Sequence, residues 1–177
     1  MTDASKSPIE DFGRDLIRQV NELVEKIPGL AQYRGREQMR DQDRLLREHT
    51  VKKMQDLKAR MDQVKADLLN NGGLALLDDV DRVTSRLDGL MNAHRFAAYG
   101  YTGAFDPNQI LEGELGKLYE YDLKILKAVE DADTKVASLE AATPDNARET
   151  IQAISRVVGE LEPLVKQRKD ILLSFGS

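Results

Sequence analysis

Residues 54–68 read MQDLKARMDQVKADL, and this stretch decides the fold of the 177-residue chain. It carries an apolar residue at every third or fourth position: Met54, Leu57, Met61, Val64 and Leu68. That spacing places one narrow apolar stripe along a helix. Residues 70–73, Asn-Asn-Gly-Gly, follow it and are typical of a helix C terminus. The stretch therefore predicts a long helix that packs through one stripe and ends in a tight turn.

Similar stripes predict further helices over about 8–27 and 74–98 and after Pro107 and Pro144. No alternating strand pattern is present, so the predicted fold is all-α: an elongated antiparallel bundle, or coiled-coil hairpins, of about five helices. The short connections at 70–73 and 142–145 require antiparallel neighbours, and we expect the same of the longer loop at 99–106. Pro163 is expected to kink the last helix.

The chain is expected to be one domain with two unequal parts. Extended backwards from Met54, the apolar stripe meets only polar residues: Thr50, Arg47, Asp43, Arg40 and Arg36. We therefore expect residues 1–50 to form an N-terminal helix plus a polar, partly protruding helical segment, and residues 51–177 to form the antiparallel bundle.

Composition and charge exclude several classes of protein. Hydrophobic residues make up 41% of the chain and charged residues 32%, and there is no Cys. Disulfides, thiolate catalysis and Cys-based zinc sites are thereby excluded. The net charge is −5, and only residues 31–73 are basic, at +3. With no signal sequence and no apolar run long enough to span a membrane, the expected location is cytoplasmic.

The sequence predicts no catalytic, cofactor-binding or metal-binding residues. A di-iron bundle needs two Glu-x-x-His motifs, but Leu46 precedes His49 and Met91 precedes His94 at that spacing. His94 lies on an apolar stripe and is interpreted as a hydrogen-bonded core histidine, with a ligand or acid–base role as the alternative.

Asp122 and Arg168 are charged residues on otherwise apolar stripes. A buried unpaired charge is costly, so each must be paired, exposed at a bundle edge, or functional. Because the 142–145 turn brings the two nearly level on antiparallel helices, we predict a buried pair that fixes the helix register.

Two segments are candidate interaction surfaces. Arginines at steps of four, four and three line one helical face, with acidic residues placed to pair with them: Arg36, Arg40, Arg44 and Arg47. A glycine-rich loop carries several aromatic residues, which either plug the end of the bundle or form a recognition surface: Tyr99, Tyr101 and Phe105.

The leading functional hypothesis is a non-enzymatic helical scaffold that acts through protein–protein interaction or self-assembly. The first alternative is binding of nucleic acid or an anionic surface through the arginines, with peripheral membrane contact disfavoured because the opposite face lacks a continuous apolar stripe. The second is a small-ligand-binding bundle, with the Tyr loop and His94 around a cavity.

Overall fold

The computed structural model of the chain describes residues 8–32, 39–96, 112–142 and 144–174, with side chains from 17, 41, 116 and 146 onward in these ranges. They form helices and connecting turns, so the predicted all-α bundle is confirmed. The five α-helices are α1 Pro8–Lys26, α2 Met39–Asn70, α3 Leu77–Arg95, α4 Glu112–Glu140 and α5 Pro144–Ser174. Single 3₁₀ turns at Leu30–Gln32 and Leu74–Leu76 follow α1 and precede α3. With 32 residues, α2 is about 48 Å long at the standard rise per residue.

The turn between α2 and α3 forms as its glycines predict. Gly72 adopts a left-handed φ of +81°, which an L side chain rarely tolerates. The Gly73 N–H then donates to the Leu68 carbonyl at 2.7 Å, which closes a Schellman C-cap. This cap ends α2 and reverses the chain, so α3 runs antiparallel to α2. Lys58 lies beside Asp88, and Lys65 lies beside Asp81.

Two antiparallel hairpins, α2–α3 and α4–α5, build the bundle. They pack so that α2 contacts α4 and α3 contacts α5, which places the four helices in the ring order α2, α3, α5, α4. In the ion pairs and the hydrogen bond that join the hairpins, residue numbers rise together along both helices, so the α2–α4 and α3–α5 contacts are parallel. The expectation that α3 and α4 are antiparallel neighbours is wrong, because they stand on a diagonal of this ring.

A large apolar core fills the centre of the ring and draws on all four helices. Its fully buried members include Met54, Leu57, Met61, Leu87, Ile125 and Ile151. A second, smaller core lies where α1 packs on α4 and the 3₁₀ turn after α1 packs on α2. There Leu23, Ile27 and Leu30 contact Leu46, Leu123 and Leu126.

The first half of α2 differs from the protruding segment that the sequence led us to expect. Asp43, Leu46 and Thr50 are all buried, so packing extends well before residue 51. The stripe is polar in this part of α2 because it faces a charged residue of α5 rather than apolar side chains. Helix α5 continues through Pro163 as one helix.

Candidate interaction site

A cluster of four buried or nearly buried charged residues joins the two hairpins at one end of the bundle. We call it the ion cluster; it consists of Asp43, Arg47, Asp122 and Arg168. The Arg168 Nε donates to Asp122 Oδ1, and Arg168 Nη2 donates to Asp122 Oδ2 at 3.1 Å and to Asp43 Oδ1 at 2.6 Å. Arg168 is fully buried and holds both carboxylates. The structure thus brings together the predicted pair, Asp122 and Arg168, and adds Asp43 to it.

Arg47 completes the ion cluster and ties α3 into it. Its Nε donates to Asp43 Oδ2 at 2.8 Å, and its Nη1 donates to the Arg95 carbonyl oxygen at 2.8 Å. All four helices of the ring therefore contribute to one network. Its two arginines and two aspartates cancel in formal charge, which is the condition under which buried ions are tolerated.

Burial and pairing act in opposite directions on these groups. Burial raises the pKa of Asp122 above its ordinary value, while Arg168 opposes that shift. Burial acts to lower the pKa of Arg168, but the carboxylates of Asp122 and Asp43 outweigh it and the pKa is raised. Arg168 therefore stays protonated at neutral pH.

His94 lies beside the ion cluster and is completely buried. Among the described residues, neither of its ring nitrogens has a hydrogen-bond partner, and Arg168 Nη1 has none either. Burial, together with the positive charges of Arg168 and Arg47, holds the pKa of His94 well below its ordinary value. The imidazole is therefore neutral at neutral pH. The hydrogen bond that the sequence interpretation gave this histidine does not occur within the described part of the chain.

The ion cluster is built to hold helices together rather than to react. Each carboxylate is held by an arginine, and Asp43, Asp122 and Arg168 are withdrawn from solvent. A catalytic acid, base or nucleophile needs access to substrate, which these groups lack. We assign the ion cluster to docking of the hairpins in a fixed register.

The candidate arginine surface is only partly the solvated face that the sequence indicated. Arg44 pairs with Glu48 at 2.8 Å and is exposed. Arg47 is only 11% exposed and belongs to the ion cluster, so its inclusion in an interaction surface is wrong. Arg36 and the side chain of Arg40 lie outside the described residues, as do the candidate loop residues Tyr99, Tyr101 and Phe105.

A groove between α3 and α5 is a feature that the sequence reasoning missed. It has a volume of about 720 Å³ and follows three small residues one helical turn apart on α3: Ser85, Gly89 and Ala93. Leu90 and Val165 add apolar walls, and Phe96, at the C terminus of α3, is 52% exposed beside it. We call this feature the α3–α5 groove. The spacing of its small residues was the signal in the sequence, but such spacing shows a groove only when the neighbouring helix is known.

Basic residues dominate the rim of the α3–α5 groove. Arg86 pairs with Glu162 at 2.8 Å. Its guanidinium lies over Gly159 of α5, where an added Cβ would come within 3.2 Å of the Arg86 Nη1 atom. Lys166 and Lys169 form the remainder of the rim. The four charged groups sum to +2, a local excess on a chain whose net charge is −5.

The described residues form neither a metal site nor a membrane span. Within the described ranges, no His, Asp and Glu side chains are grouped as a metal site would require. None of the helices, over the residues described, has the length and apolar character needed to cross a bilayer. Comparison of this chain with protein-family models, curated proteins and solved structures gives no match.

Proposed function

We propose that this chain is a cytoplasmic, non-enzymatic interaction protein that binds a protein partner in the α3–α5 groove. The observation that carries the proposal is an open groove with an apolar floor on one face of a bundle whose opposite face is covered. Grooves of this kind are where helical bundles receive partner segments.

The two faces can be compared directly because both are formed by parallel helices. On the face of α2 and α4, helix α1 packs on α4 and the 3₁₀ turn after it contacts α2, which buries Leu23 and Ile27 to 1% exposure. Within the described part of the chain, no helix packs on the face of α3 and α5. In the part of the chain that the structure describes, one of these two faces is thus covered by a fifth helix and the other is not.

The alternatives are less well supported by these contacts. Binding of an anionic surface through the arginines is weakened because Arg47 points into the ion cluster and Arg44 is matched by Glu48. A small ligand is less favoured because sites for small molecules enclose most of the ligand surface, whereas this groove runs open along the bundle surface.

Gly89 offers a direct test of the proposal. A Cβ at this position meets no atom within 4 Å, so a side chain can start there without a clash. Gly89→Phe is chosen to fill the groove, and Gly89→Ala is the matched control. A photo-crosslinking amino acid at Ala93 should form a discrete adduct in cells of the source organism. We expect Gly89→Phe to abolish the adduct and Gly89→Ala to retain it, with both variants folded by circular dichroism.

Two results would overturn the proposal. One is the absence of an adduct from Ala93 and from a second groove position, Ser85. The other is an adduct that persists at full yield in Gly89→Phe. The mass of the adduct, measured by light scattering, shows whether it contains two copies of this chain. That result would mean that the groove serves self-assembly and does not bind a different protein.

A further inference from the structure

We infer that the occupant of the α3–α5 groove is an amphipathic α-helix of a partner protein with acidic residues along its flanks. This inference rests on the proposed function and adds the shape and charge of the partner segment to it.

The shape follows from how the bundle already binds a helix. On the opposite face, α1 inserts Leu23 and Ile27 against the apolar side chains Leu46 and Leu126. Ion pairs border this contact, with Lys127 bonded to Glu22 at 2.7 Å and Lys26 bonded to Glu130 at 2.6 Å. On this face, α4 therefore accepts a fifth helix through an apolar stripe with charges on its flanks, and the turn after that helix reaches α2.

The floor of the α3–α5 groove suits the same mode of binding. Ser85, Gly89 and Ala93 lie on successive turns of α3 and have small side chains, so a helix backbone can approach closely. Large apolar side chains on the incoming helix would contact Leu90 and Val165 between them. Phe96, 52% exposed, lines the end of the groove.

The charge follows from the rim. Arg86 is already neutralised by Glu162. Among the described residues neither Lys166 nor Lys169 has an ion-pair partner, and they lie three residues apart on one edge of the groove. Glutamate or aspartate on the partner helix would complete these pairs. A second copy docked through the same face would instead add its own two lysines to the same interface, and this excess of like charge costs binding free energy.

The test uses three fluorescent helical peptides of 18 residues that differ only in their flanks. Each carries leucine and phenylalanine along one face, and the flanking positions are glutamate, glutamine or lysine. Fluorescence anisotropy with the full-length chain gives the dissociation constants. We expect the glutamate peptide to bind tightest and the lysine peptide weakest. The ratio between the glutamate and glutamine peptides should be roughly 2- to 30-fold, the range for two exposed ion pairs.

Two variants connect the binding to named residues. The double variant Lys166→Glu, Lys169→Glu should reverse the order of the three peptides, since both positions are exposed and the buried core is not altered; circular dichroism checks that it is folded. Gly89→Phe should abolish binding of all three, while Gly89→Ala should retain it.

The outcomes separate this inference from the proposed function. Equal binding of the glutamate and glutamine peptides, or an unchanged order in the double lysine variant, overturns the acidic partner. If no peptide binds although Ala93 gives an adduct that Gly89→Phe removes, the groove binds protein but its occupant is not a helix of this chemistry. If neither peptide nor adduct is found, both proposals are wrong.

Discussion

Replacing Arg168 with methionine removes the cation on which the ion cluster is centred. Arg168 donates to both oxygens of Asp122 and to one of Asp43. After the change Asp43 keeps its bond to Arg47, but Asp122 has no other partner among the described residues. Methionine has an unbranched side chain that fills much of the space of the arginine stem. The substitution therefore isolates a buried carboxylate more than it creates a cavity.

The expected loss is large because the partner left behind remains buried. Breaking a buried ion pair from one side costs about 3–5 kcal/mol. Asp122 is only 2% exposed, so little of this cost is relieved by hydration. Replacing Asp122 with leucine in the same chain removes the stranded carboxylate, and apolar replacement of a whole buried pair is often neutral or stabilising. We therefore expect the double variant Arg168→Met, Asp122→Leu to be more stable than Arg168→Met alone.

Urea unfolding followed by circular dichroism at 222 nm measures both effects. With a slope of about 2 kcal/mol per molar urea, a loss of 3–5 kcal/mol lowers the midpoint by about 1.5–2.5 M. Asp122→Leu alone is the matched control, because it leaves Arg168 bonded to Asp43. The reasoning is refuted if Arg168→Met costs less than about 1 kcal/mol, or if the double variant is no more stable than Arg168→Met.

Three further predictions follow from single residues. Because the pKa of His94 is lowered on folding, the unfolded chain binds more protons than the folded chain below about pH 6.5. The free energy of unfolding should therefore fall as pH drops from 7 to 5, by at most about 1.4 kcal/mol per pH unit. Urea midpoints of His94→Gln should depend less on pH than those of the wild type, and an identical dependence would contradict this. Gly89→Ala should stabilise the chain by about 0.5–1 kcal/mol, because Gly89 lies inside α3 and its Cβ meets nothing. Gly72→Ala should instead destabilise it by about 1 kcal/mol, because its φ is +81°; thermal melts that shift both variants in the same direction would disprove this contrast.

The helices and their hairpins could be predicted because their signals are local. The apolar stripe over 54–68 and the Gly72–Gly73 pair that ends it lie within a few turns of one another. Asp122 and Arg168 were also within reach of sequence reasoning. They lie on the two helices that one short turn connects, so counting residues from that turn shows that they lie at nearly the same height on antiparallel helices.

The docking of one hairpin on the other could not be predicted in this way. Asp43 and Arg47 read as part of a solvated face because Arg168, which bonds Asp43, is 125 positions away and belongs to the other hairpin. The same applies to the α3–α5 groove. Ser85, Gly89 and Ala93 become its floor only because α5, rather than α4, lies beside α3. Residue spacing gives the face of a helix but not the helix that packs against it.

The ion cluster also has a consequence for the order in which the chain folds. Contacts within a hairpin, such as Lys65 to Asp81, close loops of only 16 residues, whereas Arg168 to Asp43 closes one of 125. Short loops close at lower entropic cost, so the hairpins are expected to form first. Asp43 can pair with Arg47 within α2, and Asp122 with Arg168 within the α4–α5 hairpin, before the hairpins meet. The bond from Arg168 to Asp43 forms only as the hairpins dock, which is also the step that removes these charges from water. An arrangement shifted by one turn would strand the same charges in the interior, so the late step rejects wrong registers as well as completing the right one.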